Sequence, residues 1–135
     1  WAGRYRRVKL SKDGFPFASS NQISRLMDEF ERDILKKYTP CRFSAIKDIA
    51  RAIAVVHTEI VLIHPFREGN GRVARILSAL MALQAGLPSL DFSGIKGKQR
   101  QEYFAAVRAG MDKNYGLMEK IFNAVISRTQ RTQKG

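Results

Sequence analysis

From Ser44 to Ile63 the chain carries Ile46, Ile49, Ala50, Ile53, Ile60 and Val61 at helical spacing, with His57 on the same stripe. A stripe of that period must be buried by neighbours. The neighbours are legible on both sides. Upstream, Ile23, Leu26, Met27, Phe30 and Ile34 recur at the same period, with Ser19 or Ser20 as N-cap and Pro40 beyond the end. Downstream, a helix from about Asn70 to Ala85 presents Val73, Ile76, Leu77, Leu80 and Met81 on one face, and Gly86 and Pro88 stop it. A fourth helix carries Tyr103, Phe104 and Val107, and a fifth carries Leu117, Met118, Ile121, Phe122, Val125 and Ile126. The polar tail from Arg128 to Gly135 is expected to fray. Only residues 4–18 lack this period. There Tyr5, Val8 and Leu10 alternate with basic residues, Ser11-Lys12-Asp13-Gly14 reads as a turn, and Phe15-Pro16-Phe17 as an edge strand. The expected fold class is all-α with one small β-hairpin, in a single domain over residues 1–135.

The 135 residues and 44% hydrophobic content suit one core. Cys41 is the one cysteine, so an intramolecular disulfide and a thiolate metal cluster are excluded, and a reducing, cytoplasmic compartment fits. Delivery of the protein into another cell stays open. Apolar runs such as Ala52–Val56 and Ile60–Ile63 are too short for a bilayer, so no membrane partner is expected. No signal-peptide pattern is visible, and the start on Trp1 points to a trimmed piece. The net charge of +12 invites a nucleic-acid reading, or a basic surface for nucleotides or an acidic partner. Nucleic acid is the weaker of these. The basic residues are spread out, and only Arg4, Arg6, Arg7, Lys9 and Lys12 form a dense cluster, which reads as a solvated face.

One segment stands apart: His64-Pro65-Phe66-Arg67-Glu68-Gly69-Asn70-Gly71-Arg72-Val73-Ala74-Arg75. It joins two amphipathic helices and has the parts of a phosphate site. Gly69 and Gly71 let backbone approach an anion. The following helix aims its free N–H groups and positive dipole end at the same point. Arg72 and Arg75 share a face of that helix, and their forks match phosphate oxygens. Glu68 is a hard oxygen donor that can join phosphate oxygens and waters around Mg²⁺. His64, as a neutral imidazole, can take a proton from an incoming hydroxyl.

The string resembles the motif of the Fic family, HPFx(D/E)GNGRxxR, at every defined position: His64, Pro65, Phe66, Glu68, Gly69, Asn70, Gly71, Arg72 and Arg75. Trp1-Ala2-Gly3-Arg4 is similar to the segment leading into that family's flap hairpin, and Tyr103 stands where the family often has a tyrosine near the nucleotide base. The resemblance implies a helical core with a flap over the active site, and transfer of AMP from ATP to a Ser, Thr or Tyr hydroxyl of a target protein. It implies His64 as general base and Glu68 on Mg²⁺. Gly69, Asn70 and Gly71 would form an anion hole, and Arg72 and Arg75 would hold the β- and γ-phosphates. Phe66 would point into the core. A flap of about Val8–Phe17 would pair with an extended segment of the target. The active-site loop would be residues 64–72.

Gly71 separates the chain from the kinase-like Doc toxins, which have Lys there, whereas phosphocholine transfer stays open. The family's inhibitory pattern (S/T)xxxE(G/N) is not found: Asp28 follows Ser24 four residues on, and no Glu follows Ser127. An upstream segment or a separate antitoxin-like protein would supply it. An inactive module that binds nucleic acid or a partner remains the alternative from another class. Outside the motif, His57 reads as a buried, hydrogen-bonded structural histidine rather than half of a metal pair, and Cys41 as an isolated thiol. Arg67, at the variable motif position, should face solvent.

Overall fold

The computed structural model describes residues 4–12 and 15–134. Two short strands, β1 (Ser11–Lys12) and β2 (Phe15–Pro16), pair antiparallel with Ser11 opposite Pro16 and Lys12 opposite Phe15. Ser11 and Lys12 thus belong to a strand rather than to the turn. Asp13-Gly14 of the expected turn, and Trp1-Ala2-Gly3, lie outside the described residues. A hydrogen bond from the Phe17 N–H to the Leu10 carbonyl (3.0 Å) prolongs the hairpin by one rung.

The first helical run is irregular. A 3₁₀ turn at Ser20–Gln22 leads into α1 (Ile23–Glu29), a π-helical stretch at Phe30–Leu35 and the short α2 (Lys36–Tyr38). Ser19 holds the N-cap position, but its hydroxyl donates to Asn21 Oδ1 (2.7 Å) instead of capping a helix N–H. Thr39 is extended, as the residue before Pro40 must be, and ends the run.

Helix α3 (Ile46–Ile63) is the centre of the fold, with thirteen of its 18 residues buried. It packs against α4 (Asn70–Gln84), α5 (Lys98–Ala109) and α6 (Gly116–Lys134). Ile49, Ile53 and Val56 of α3 meet Met118, Phe122 and Ile126 of α6 and Met81 of α4 in one core. Burying each such side chain is worth roughly 1.5–3 kcal/mol, so the core rests on this helix trio. No helix among the described residues is long and apolar enough to cross a membrane.

Two sequence expectations are corrected here. The buried face of α4 is Asn70, Ala74, Ser78, Met81 and Ala82, and of the expected stripe of large residues only Met81 belongs to it. Val73, Ile76, Leu80 and Leu83 are exposed, and Leu77 is half-buried. Small side chains at 74, 78 and 82 let α4 approach α3 closely, and close approach decides which face turns inward. The tail is helical to Lys134 rather than frayed from Arg128. Thr129 explains this: it is buried, its hydroxyl donates to the Val125 carbonyl (2.8 Å), and its oxygen accepts the Asp91 N–H (2.8 Å). Arg128 pairs with the Asp91 carboxylate (3.2 Å) beside it. Helix α4 stops as read from sequence. Gly86 adopts φ +85°, the Leu87 N–H donates to the Ala82 carbonyl and the Gly86 N–H to the Leu83 carbonyl, a Schellman closure.

Candidate active site

Pro65 bars the α region to the residue before it, so α3 cannot continue through His64. His64 adopts the left-handed conformation, φ 51°, ψ 60°. A residue with a Cβ pays roughly 1 kcal/mol or more for that, and persists there only where its surroundings hold it. The surroundings are explicit. The last carbonyls of α3 have no helical partner, and the N-terminal segment supplies them. The Ala18 N–H donates to Leu62 O (3.2 Å). The Arg6 guanidinium donates to Ile63 O (3.1 Å) and His64 O (2.6 Å), and the Arg6 N–H to Pro65 O (2.9 Å). Arg6 is only 4% exposed, which corrects the reading of the whole early basic cluster as a solvated face.

The His64 imidazole stacks on the Phe17 ring, with centroids 3.7 Å apart and planes 5° from parallel. Its Nδ1–H donates to Val61 O (3.3 Å), which leaves the lone pair on Nε2. Burial pushes its pKa below the ordinary histidine value, and the charges of Arg6 and Lys12 act in the same direction. A neutral ring with a lone pair on Nε2 is the form a general base needs.

The loop that follows is closed by Asn70. Its Oδ1 accepts the Phe66 N–H (2.8 Å) and its Nδ2 donates to the Phe66 carbonyl (2.6 Å). The Asn70 side chain is buried and committed to the loop, so only its backbone N–H can contribute to an anion hole. Gly69, at φ +82°, makes the turn into α4. The first helical bond runs from the Val73 N–H to Gly69 O (2.9 Å), which leaves the N–H groups of residues 70–72 for another acceptor. Phe66 is half-buried against Tyr5 (centroids 6.1 Å) rather than in the core cluster. Arg67, Glu68 and Arg72 are exposed.

His64, Gly71, Arg75 and Tyr103 share one cavity of about 400 Å³, roofed by Lys12, Phe15 and Phe17 of the flap. That volume suits a small-molecule ligand. Arg75 folds back over Gly71: a Cβ on residue 71 would lie 3.2 Å from Arg75 Nη1. Glu68, Gly69, Asn70 and Arg72 do not line the cavity. Among the described residues Arg75 has no ion-pair partner, and no three metal-ligating side chains converge. Glu68 is the one carboxylate of the motif, exposed beside the start of α4. That fits Mg²⁺ taking most of its ligands from phosphate and water, and not an all-protein cage. The nearest acid in the preceding helix, Glu59, is used elsewhere, accepting from Lys113 Nζ (2.8 Å) and the Tyr115 hydroxyl.

Tyr103 reaches the cavity through its ring, because its hydroxyl is engaged. The Ser78 hydroxyl donates to Ala74 O (3.0 Å) and accepts from His57 Nδ1 (2.9 Å). His57 Nε2 therefore accepts from the Tyr103 hydroxyl (2.7 Å). Burial lowers the His57 pKa to about 4 and raises that of Tyr103 to about 12, so both are neutral. His57 is the buried, bonded histidine expected from sequence. Cys41 is fully buried, which pushes its thiol pKa up.

Sequence reasoning missed Arg6, Phe17, and the cavity-lining Lys12, Arg100 and Arg108. Arg100, Phe104 and Arg108 recur every fourth residue on α5, a visible signal. Lys12 Nζ sits 4.9 Å from the Phe104 ring centre and ties the flap to that helix.

The Fic/DOC family model matches residues 2–82. A protein adenylyltransferase Fic of Nematostella vectensis is 27% identical over 135 residues, 97% of this chain and 28% of that protein. The adenylyltransferase fic-1 of Caenorhabditis elegans is 31% identical over 106 residues, 78% of this chain and 19% of that one. The chain thus spans little more than a quarter of these relatives at most. Among solved structures, the N-terminal Fic domain of a Bartonella quintana cell filamentation protein with bound ADP has a TM-score of 0.71 at 28% identity, covering 87% of this chain and 54% of that one. BepC of Bartonella tribocorum with bound AMPPNP also scores 0.71, at 24% identity, over 93% of this chain and 65% of that one, and speaks for the fold. With more than half of its length inside the family model, this chain belongs to the Fic/DOC family.

Proposed function

We propose that residues 1–135 form a Fic domain that transfers AMP from ATP to a Ser, Thr or Tyr hydroxyl of a target protein. One observation carries the reading: His64, whose Nδ1 is engaged with a carbonyl, shares one cavity with Gly71 and Arg75 of α4. The target hydroxyl gives its proton to His64 Nε2 as its oxygen attacks the α-phosphorus. The bond from the α-phosphorus to the bridging oxygen breaks, and pyrophosphate leaves. The N–H groups of Gly69, Asn70 and Gly71 receive the phosphate oxygens. Arg72 and Arg75 hold the β- and γ-phosphates, with Arg75 reaching in over Gly71. The Tyr103 ring walls the base. Glu68 would hold Mg²⁺, which when bound would neutralise charge on the phosphates.

The target docks on the flap, and its chain extends the β1–β2 pairing. Arg75, without a carboxylate partner among the described residues, is open to repression by a glutamate from an antitoxin-like protein or another segment. A Bartonella quintana Fic domain 28% identical to this chain belongs to a VirB-translocated effector, which supports delivery into another cell as a further reading.

The test is incubation with α-labelled ATP and Mg²⁺ and a search for label on the domain or on lysate proteins. His64→Ala should lose roughly 10²–10⁴-fold in transfer and keep nucleotide binding. Near-normal labelling by that variant would refute the assignment.

A further inference from the structure

Arg6 stands out as a buried guanidinium whose hydrogen bonds all run to carbonyl oxygens. Four of its five side-chain N–H donors are used. Nε donates to His64 O (2.6 Å), Nη1 to Val8 O (2.8 Å), and Nη2 to Ala18 O (2.5 Å) and Ile63 O (3.1 Å). No carboxylate approaches it among the described residues. Val8 and Ala18 flank the flap, one before β1 and one after β2, while Ile63 and His64 are the end of α3. One side chain therefore joins both legs of the flap to the backbone of the candidate base. We propose that Arg6 is a positioning residue: it clamps the flap to the His64 turn, so that the strand gripping the target and the imidazole meeting its hydroxyl keep one geometry.

Three further observations agree. His64 is held in a left-handed conformation that needs outside support, and Arg6 binds its carbonyl. Phe17, which stacks on the imidazole, immediately precedes Ala18, whose carbonyl Arg6 also holds. A guanidinium at the C-terminal end of α3 meets the negative end of the helix dipole, which offsets the cost of burying it. A lysine would supply the charge but not the fork that spans three segments.

The inference rests on His64 acting as the base, and its test has readouts that do not need transfer. Arg6→Lys and Arg6→Gln are compared with the unaltered domain by amide hydrogen exchange, by NMR titration of the two imidazoles, and by transfer kinetics. In the unaltered domain the Phe17 and Ala18 amides should exchange as slowly as the His64 amide. Both variants should speed exchange at residues 8–18 and 63–66 while α5 and α6 hold. Transfer should fall about 10–100-fold in kcat, as expected for sub-ångström misplacement, with KM for ATP unchanged. The charged or titratable groups that line the cavity with His64 are Lys12 from the flap, His57 from α3, Arg75 from α4, and Arg100, Tyr103 and Arg108 from α5, while Phe17 stacks on its ring. Arg6→Gln removes the Arg6 charge and loosens the hold on Lys12 and Phe17 of the flap, and each of these changes should raise the His64 pKa. The acid limb of the rate profile then moves to higher pH, while His57 keeps its own titration. Arg6→Lys keeps the charge, so its limb should move less than that of Arg6→Gln.

Flap amides that exchange freely in the unaltered domain would overturn the proposal without any variant. So would normal kcat in Arg6→Lys, or exchange that rises equally in α6, which would mark a general stabilising role. If the unaltered domain transfers no AMP, the functional reading fails. Flap exchange and imidazole titration still decide the role of Arg6.

Discussion

The Phe17 ring covers one face of the His64 imidazole, 3.7 Å from it and nearly parallel. The flap therefore keeps water off the candidate base, beside its proposed part in docking a target. Phe17→Ala should open that face. The His64 pKa, held down first by burial, should rise toward the ordinary value. A base works above its pKa, so the unaltered domain should keep activity to lower pH than the variant. The pH dependence of kcat/KM checks this, and an unmoved acid limb would show that the stack does not tune the base.

Gly71 is needed for space rather than for backbone freedom. Its φ is not in the left-handed region, unlike that of Gly69. A Cβ there meets Arg75 Nη1 at 3.2 Å, and that contact is the end of a flexible side chain. Gly71→Ala should fold normally and weaken ATP binding several-fold by displacing Arg75, about 1 kcal/mol. Arg75→Ala should cost more, and the double variant should cost no more than Arg75→Ala alone. Additive losses in calorimetric titration would mean that Gly71 acts on the nucleotide directly.

His57 links the core to pH. Its folded pKa of about 4 lies below the ordinary 6.5, chiefly from burial. The unfolded chain then binds more protons between those values, so stability is full above pH 6.5 and falls as pH drops toward 4. The slope approaches 1.4 kcal/mol per pH unit, or up to roughly 2 kcal/mol between pH 7 and pH 5. Urea unfolding at the two pH values measures it. His57→Gln should flatten most of that dependence at the expense of stability at pH 7, and His64, shifted in the same direction, adds a contribution the variant keeps.

How much of this was legible follows from which residues speak through period or motif. The stripes of α3 and α6 are made largely of apolar residues, and burial followed them except at Leu117, which is exposed. In α4 the contact face is Ala74, Ser78 and Ala82, which a count of large hydrophobic residues overlooks. The loop from His64 to Arg75 stood out as a candidate phosphate site because its chemistry is concentrated in sequence. Arg6 and Phe17 were not, because both act on His64 from more than 45 residues away and carry no local pattern. The side chain of Asn70 closes the loop, which leaves only its backbone N–H for the anion hole read from sequence.

Gly110 gives a test in which two physical effects predict opposite signs. Its φ of −64° is ordinary for any L-residue. On backbone entropy alone, Gly110→Ala should stabilise by roughly 0.4–1 kcal/mol. The added Cβ, however, would stand 2.1 Å from Thr58 Cγ2 and 3.5 Å from Leu62 Cδ1. Thr58 is fully buried on α3, so its methyl has nowhere to retreat without moving the helix. Overpacking of this kind costs roughly 1–3 kcal/mol, which outweighs the entropy gain. Gly110→Ala should therefore lower Tm by several degrees. Thr58→Ser removes the opposing methyl and should restore much of the loss in the double variant. Thermal unfolding of the four proteins completes the cycle. An unchanged or raised Tm in Gly110→Ala, or no rescue by Thr58→Ser, would show that α3 and the 110–112 turn are not in such close contact.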